Sequence, residues 1–115
     1  MQKAVMALKE HGCDVEGALN RMLNDENFLM HCVHAALDQA EYEQLGDALR
    51  AQKAKEVFEY AHALKGVTAN VGLTPLYDTV VEIVEPLRAG NAQGLMPLYD
   101  KLLAQRDELR RAVAE

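Results

Sequence analysis

Cysteine is scarce in this 115-residue chain: Cys13 and Cys32 are the two it has. They are too few for a disulfide framework, and they fall in what reads as a loop and a helix with nothing to pair them. A reducing, cytoplasmic setting is expected. No apolar run is long enough to cross a bilayer, and the N-terminus reaches Lys9, Glu10 and His11 before a signal-length apolar stretch develops. Neither membrane insertion nor export is therefore expected. Positive charge is also short, with 12 Lys+Arg against 18 Asp+Glu and a net charge of -6. That is the wrong sign for tracking phosphates, no basic stripe interrupts it, and nucleic acid is not an expected partner. No segment alternates strictly with a period of two, so strands are not expected. A nucleotide-binding loop of the GxxxxGKS/T type is missing as well, so the chain should not phosphorylate itself from ATP. There is no internal repeat, low-complexity tract or linker.

What is present is a composition that is 50% hydrophobic and 26% charged, ordinary for a globular protein and enough for one core without staples. Nearly every stretch follows a 3.6-residue apolar rhythm. A first amphipathic helix is expected from about Gln2 to Glu10, stopping at Gly12. Asp14 can cap a short helix running through Ala18, Met22 and Leu23, and Asn24 and Asp25 punctuate. Phe28, Leu29, Cys32, Val33, Ala36 and Leu37 form a wide apolar stripe. Tyr42, Leu45, Ala48 and Leu49 lie on a helix ending near Ala51 or Gln52, without a Gly or Pro to mark the boundary.

Val57, Ala61, Leu64, Thr68 and Val71 make the core side of the next helix, which ends at Gly72. Thr74-Pro75 reads as a hydroxyl cap followed by proline at the first helical position. The helix begun there carries Leu76, Val80, Ile83, Val84 and Leu87 to Gly90, with a bend expected at Pro86. The last helix takes Leu95, Leu98, Leu102, Leu109 and Val113 to the C-terminus, regular from about Pro97. The expected fold is all-α: an up-down antiparallel four-helix bundle with additional short N-terminal helices. Residues 1–115 form one domain, with 1–23 an N-terminal helical segment packing on a bundle core of 25–115.

His62 stands apart from this pattern. At ~100° per residue it lies roughly 145° from the mean direction of its helix's apolar positions, facing solvent. Phe58 precedes it by one turn, Lys65 and Gly66 follow by one, and Ala69 lies beyond. Gly66 costs ~1 kcal/mol against alanine inside a helix, so something other than helix stability accounts for it. Without a side chain there, space opens beside His62. Lys65 is a mobile positive charge suited to an anion such as a phosphoryl group, and Phe58 and Ala69 offer apolar surface to a partner. The set suits a histidine nucleophile that holds a phosphoryl group and admits another protein's active site.

His62-x-Leu64-Lys65-Gly66-x5-Gly72 resembles the signature of histidine-containing phosphotransfer (HPt) domains, the four-helix carriers of multistep phosphorelays. The segment Asn70-Val-Gly-Leu-Thr-Pro-Leu-Tyr77 is similar to the family's turn into its third bundle helix, and Phe28-Leu29 with the helices after it resemble the first bundle helices. The resemblance implies that His62 is the phosphoacceptor, Lys65 stabilises the phosphoryl group, Gly66 gives access and Gly72 ends the helix. Thr74 and Pro75 would be structural, while Phe58, Glu59, Ala69 and Arg88 would dock the partner. Many members carry Glu or Gln where this chain has Val84, and here the carboxylate, Glu85, comes one residue later.

By the same resemblance the chain is a phosphocarrier and not an enzyme in its own right. Its partner is a response-regulator receiver domain, a hybrid sensor histidine kinase or both. It binds no cofactor itself, the Mg2+ belonging to the receiver. The start at Met1 and the lack of a linker favour a stand-alone bacterial carrier, expected as a monomer. Two other classes compete. One is a helical adaptor that binds signalling proteins without phosphorylation. The other is a metal-binding bundle using His31, Cys32 and His34, for which no second cluster completes a tetrahedral set, so no metal site is expected.

Overall fold

The computed structural model describes residues 1–114. Along the chain run α1 (Lys3–Glu10), α2 (Val15–Arg21), α3 (Glu26–Leu37), α4 (Glu41–Arg50), α5 (Ala54–Asn70), α6 (Thr74–Arg88) and α7 (Met96–Val113). No strand occurs among the described residues. α4 packs on α5, α5 on α6, α6 on α7, and α7 returns to α4, closing a four-helix bundle. α1 lies against α7, and α3 touches both α7 and α1. The all-α bundle with short N-terminal helices is thus what the apolar rhythm anticipates.

The acidic punctuation works through its side chains. Asp14 Oδ1 accepts from the Gly17 N–H at 3.0 Å, and Asp25 Oδ1 accepts from the Phe28 N–H at 3.1 Å. Each relieves one of the unpaired amides at a helix start. Two helix ends are closed from afar by arginines. Arg21 on α2 donates to the Ala69 and Asn70 carbonyls, both at 3.0 Å, at the end of α5. Arg110 on α7 donates to the Leu37 carbonyl at 2.8 Å and to Asp38 at 2.9 Å, at the end of α3.

Several local expectations need correction. Thr74 does not cap α6: Leu73 holds the N-cap position, and the Thr74 hydroxyl donates weakly to the Gly72 carbonyl at 3.4 Å. The helix begins one residue earlier than a Thr cap requires, so Thr74 and Pro75 occupy its first two positions, where proline still loses no helical hydrogen bond. Leu23 lies outside α2, in a left-handed conformation and 92% exposed, because the helix closes at Met22. Phe28 leaves the apolar stripe and is 50% exposed, since Leu29, Met30 and Val33 fill the core-facing positions of α3. α4 is ended by Gln52 at φ 56, a left-handed residue with neither Gly nor Pro to announce it.

Tyr99, rather than the half-buried Leu98, is the first large α7 side chain of the core after Leu95. Its hydroxyl donates to the Tyr42 carbonyl at 2.8 Å. Its ring rests on Gly46, where a Cβ would stand 2.6 Å from the Tyr99 Cζ. Gly46 therefore sets how closely α4 and α7 approach. Burial pushes the Tyr42 phenol up to about 12, despite the Arg106 and Arg110 guanidinium groups nearby. Arg106 covers its ring at 5.2 Å.

Candidate functional site

α5 separates two faces cleanly. Val57, Ala61, Leu64 and Thr68 are fully buried, and Val71 just past the helix end is nearly so. Thr68 enters the core at little cost because its hydroxyl donates to the Leu64 carbonyl at 2.8 Å, within its own helix. His62, Glu59, Gly66 and Ala69 are exposed, and Phe58 and Lys65 are half-buried. A histidine is thereby set on the outer surface of a rigid bundle helix.

The rings of Phe58 and His62 are stacked, with centroids 5.7 Å apart and planes inclined by 14°. Phe58 itself packs on the core. On the other side of His62, a Cβ built on Gly66 would meet nothing within 4 Å. Neither a close approach within the chain nor backbone torsion requires glycine there, because Gly66 sits in regular helix. Gly72 is the opposite case. Its φ is 72, and a Cβ would collide with the Asp14 carbonyl oxygen and come within 3.1 Å of the Ala18 Cβ. The Asp14 N–H donates to the Gly72 carbonyl at 2.8 Å. This glycine both turns α5 into α6 and lets α2 press against the turn.

α5 and α6 are antiparallel neighbours joined by the turn at 71–73. At ~1.5 Å per residue, counting from that turn puts the α6 position level with His62 near Glu82, and Arg88 roughly 9 Å farther along the bundle. Arg88 is exposed and pairs with Glu85 at 3.7 Å. To serve a group on His62 it would have to leave Glu85 and reach back. Val84 is fully buried, so the residue at that position supports the core and offers nothing to the surface.

Phe58, His62, Lys65, Gly66 and Ala69 all belong to α5, while Arg88 stands apart on α6. A groove of about 280 Å³ opens where α5 ends, lined in part by Asp14, Arg21, Ala69, Gly72, Tyr77 and Asp78. Arg21 and the backbone of Asp14 hold the end of the histidine helix, and sequence reasoning did not find them in that role. A bond from Arg21 to a carbonyl 48 residues away leaves no local signal. His31 and His34 are exposed and Cys32 is half-buried. Among the described residues, no group of three or more His, Cys, Asp or Glu is placed to hold a metal ion.

Chemically, the α5 surface offers an accessible imidazole, a cation one turn on, and clearance where a side chain would otherwise stand. Among known families, the Hpt domain matches residues 39–114, about two thirds of the chain, and the match takes in α4 to α7. No curated protein and no solved structure matches. Among the described residues, no helix is long and apolar enough to cross a membrane.

Proposed function

Because the chain belongs to the Hpt domain family, whose members are phosphocarriers of phosphorelays and not kinases, we propose that His62 is the residue that takes up the phosphoryl group. The observation that carries this reading is Gly66. A helix-weakening residue stands one turn from an exposed histidine, in open space that nothing in the chain itself needs.

The donor or acceptor is an aspartate of a response-regulator receiver domain, alone or within a hybrid sensor kinase. In transfer to this chain, the lone pair of the attacking imidazole nitrogen forms the N–P bond. The aspartyl P–O bond breaks, the carboxylate leaves with its electron pair, and the proton on the second ring nitrogen passes to solvent. Reversal of the same steps hands the group on. Such transfer depends mainly on alignment and charge neutralisation. Lys65 supplies a positive charge from this side, and the receiver brings Mg2+ and the enclosing pocket. Phe58, Glu59 and Ala69 form the contact surface, with Arg88 at its margin. The nucleophile is the unprotonated ring nitrogen, whose lone pair is free to form the N–P bond. The carrier acts as a cytoplasmic monomer.

The test is transfer from a phosphorylated receiver domain, followed by acid and alkali treatment of the product. Acid-labile, alkali-stable label that disappears in His62→Gln, with the helical circular dichroism preserved, supports the reading. Undiminished labelling of His62→Gln overturns the site. No label from several receivers would favour an adaptor that binds without phosphorylation.

A further inference from the structure

We infer that Phe58 is a positioning residue for His62: its ring, anchored on the core, fixes the plane of the imidazole so that the nucleophilic nitrogen points away from the bundle. The inference rests on the carrier reading for its purpose, though not for its geometry. A helical side chain leans toward the N-terminus and covers the turn before its own Cα. For His62 the residue under that lean is Phe58, and the two rings lie 14° from parallel at 5.7 Å. Because Phe58 is half-buried against the core, it transmits the core's rigidity to a side chain that is otherwise exposed.

The stack has a useful direction. The lone pair of an imidazole nitrogen lies in the ring plane, so an aromatic ring on one face restrains the plane without covering the attacking electrons. Lys65 and the open space at Gly66 lie on the C-terminal side of His62, opposite Phe58. A phosphoryl group that meets the nitrogen in the ring plane keeps clear of the Phe58 face, with a cation one turn on and no side chain at Gly66 crowding the other face. Near-attack alignment is a large part of what transfer requires, and a freely turning imidazole would reach it less often.

This role differs from docking, for which any apolar side chain at 58 would serve, and the difference can be read without a partner protein. Phosphoramidate is a small donor: the imidazole nitrogen bonds to phosphorus, the donor's P–N bond breaks, ammonia leaves, and the second ring nitrogen sheds its proton. Full-length protein and the variants Phe58→Leu, Phe58→Ala, Phe58→Tyr and Phe58→Trp are labelled with it. The His62 ring-proton chemical shifts are followed by NMR in the unphosphorylated proteins.

Loss of the flat ring in Phe58→Leu and Phe58→Ala is expected to slow labelling of His62 roughly two- to tenfold, the preference an aromatic pair commonly carries. The His62 ring protons should lose their ring-current shift in both, and Phe58→Tyr or Phe58→Trp should restore rate and shift together. Wild-type labelling rates in Phe58→Leu and Phe58→Ala, or ring-proton shifts unchanged in Phe58→Ala, overturn the inference. So does a defect in those variants that appears only with a receiver donor, which would leave Phe58 as docking surface alone. A wild-type chain that accepts nothing from receivers, yet shows the Phe58-dependent shift and phosphoramidate rate, would refute the carrier reading and keep the positioning role.

Discussion

Gly66 and Cys13 make opposite demands on a single side-chain position. At Gly66 a methyl group has room, so Gly66→Ala should raise helix stability by about 1 kcal/mol and yet, under the carrier role proposed above, slow transfer from a receiver docking over the same spot. Thermal unfolding and transfer rate, measured on one preparation, are expected to move in opposite senses; a more stable variant with unimpaired transfer would remove the reason for the glycine. Cys13 is 8% exposed, and burial pushes its thiol up to about 11 against the opposing hydrogen bond from the Thr74 backbone. A thiol raised in the folded state favours folding at lower pH, and that contribution is lost as pH climbs from 9.0 toward 11. At neutral pH a thiol-reactive dye should therefore label Cys32 in the native protein and reach Cys13 only on unfolding. Equal rates at the two would contradict the burial.

At the scale of the element, the turn between α5 and α6 separates what periodicity can reveal from what it cannot. The buried face of α5 follows from spacing alone: Val57, Ala61, Leu64 and Thr68 recur at three and four residues, and His62 falls opposite them. The caps do not follow so simply. Thr74 before Pro75 has the chemistry of a cap, but the chain starts α6 earlier, and the hydroxyl turns to Gly72. Thr74→Ala should consequently change stability by no more than about 0.5 kcal/mol, where a true cap would cost ~1 kcal/mol. Gly72→Ala should cost about 1–3 kcal/mol through its left-handed backbone alone, and more through the collision with Asp14. Denaturant midpoints of the two variants test the contrast, and a Thr74→Ala loss equal to that of Gly72→Ala would reverse the assignment. Gln52 and Leu23 adopt left-handed conformations without glycine, the kind of boundary local composition leaves unmarked.

Across the whole molecule, the family match begins at residue 39, but the hydrophobic core runs from Val5 to Val113 without a break. Val5, Leu8, Val15, Leu29, Val33 and Leu37 belong to it from outside the matched region. A chain starting at residue 39 would uncover the α7 surface that α1 and α3 occupy, and should melt at least about 10 °C below the full chain. An unchanged melting temperature would show the N-terminal helices to be ornament. Fold class and the histidine's facing were legible because both depend on local spacing. The α4–α7 approach set by Gly46 and Tyr99 was not, because it joins residues 53 apart and is visible only when both helices are placed.

The arginine closures carry a consequence for ionic strength. Arg21 spends its charge on carbonyl oxygens, and Arg110 divides its own between a carbonyl and Asp38. Dissolved ions compete poorly for hydrogen bonds of this length, whereas they readily screen the mutual repulsion of a chain carrying a net charge of -6. Added sodium chloride, from about 0.05 to 0.5 M, a range over which the screening length falls from well above to below ~10 Å, should leave the melting temperature level or raise it. A fall would mean that exposed pairs such as Arg50 with Asp47, at 3.2 Å, hold more of the structure together than the carbonyl-bound arginines do.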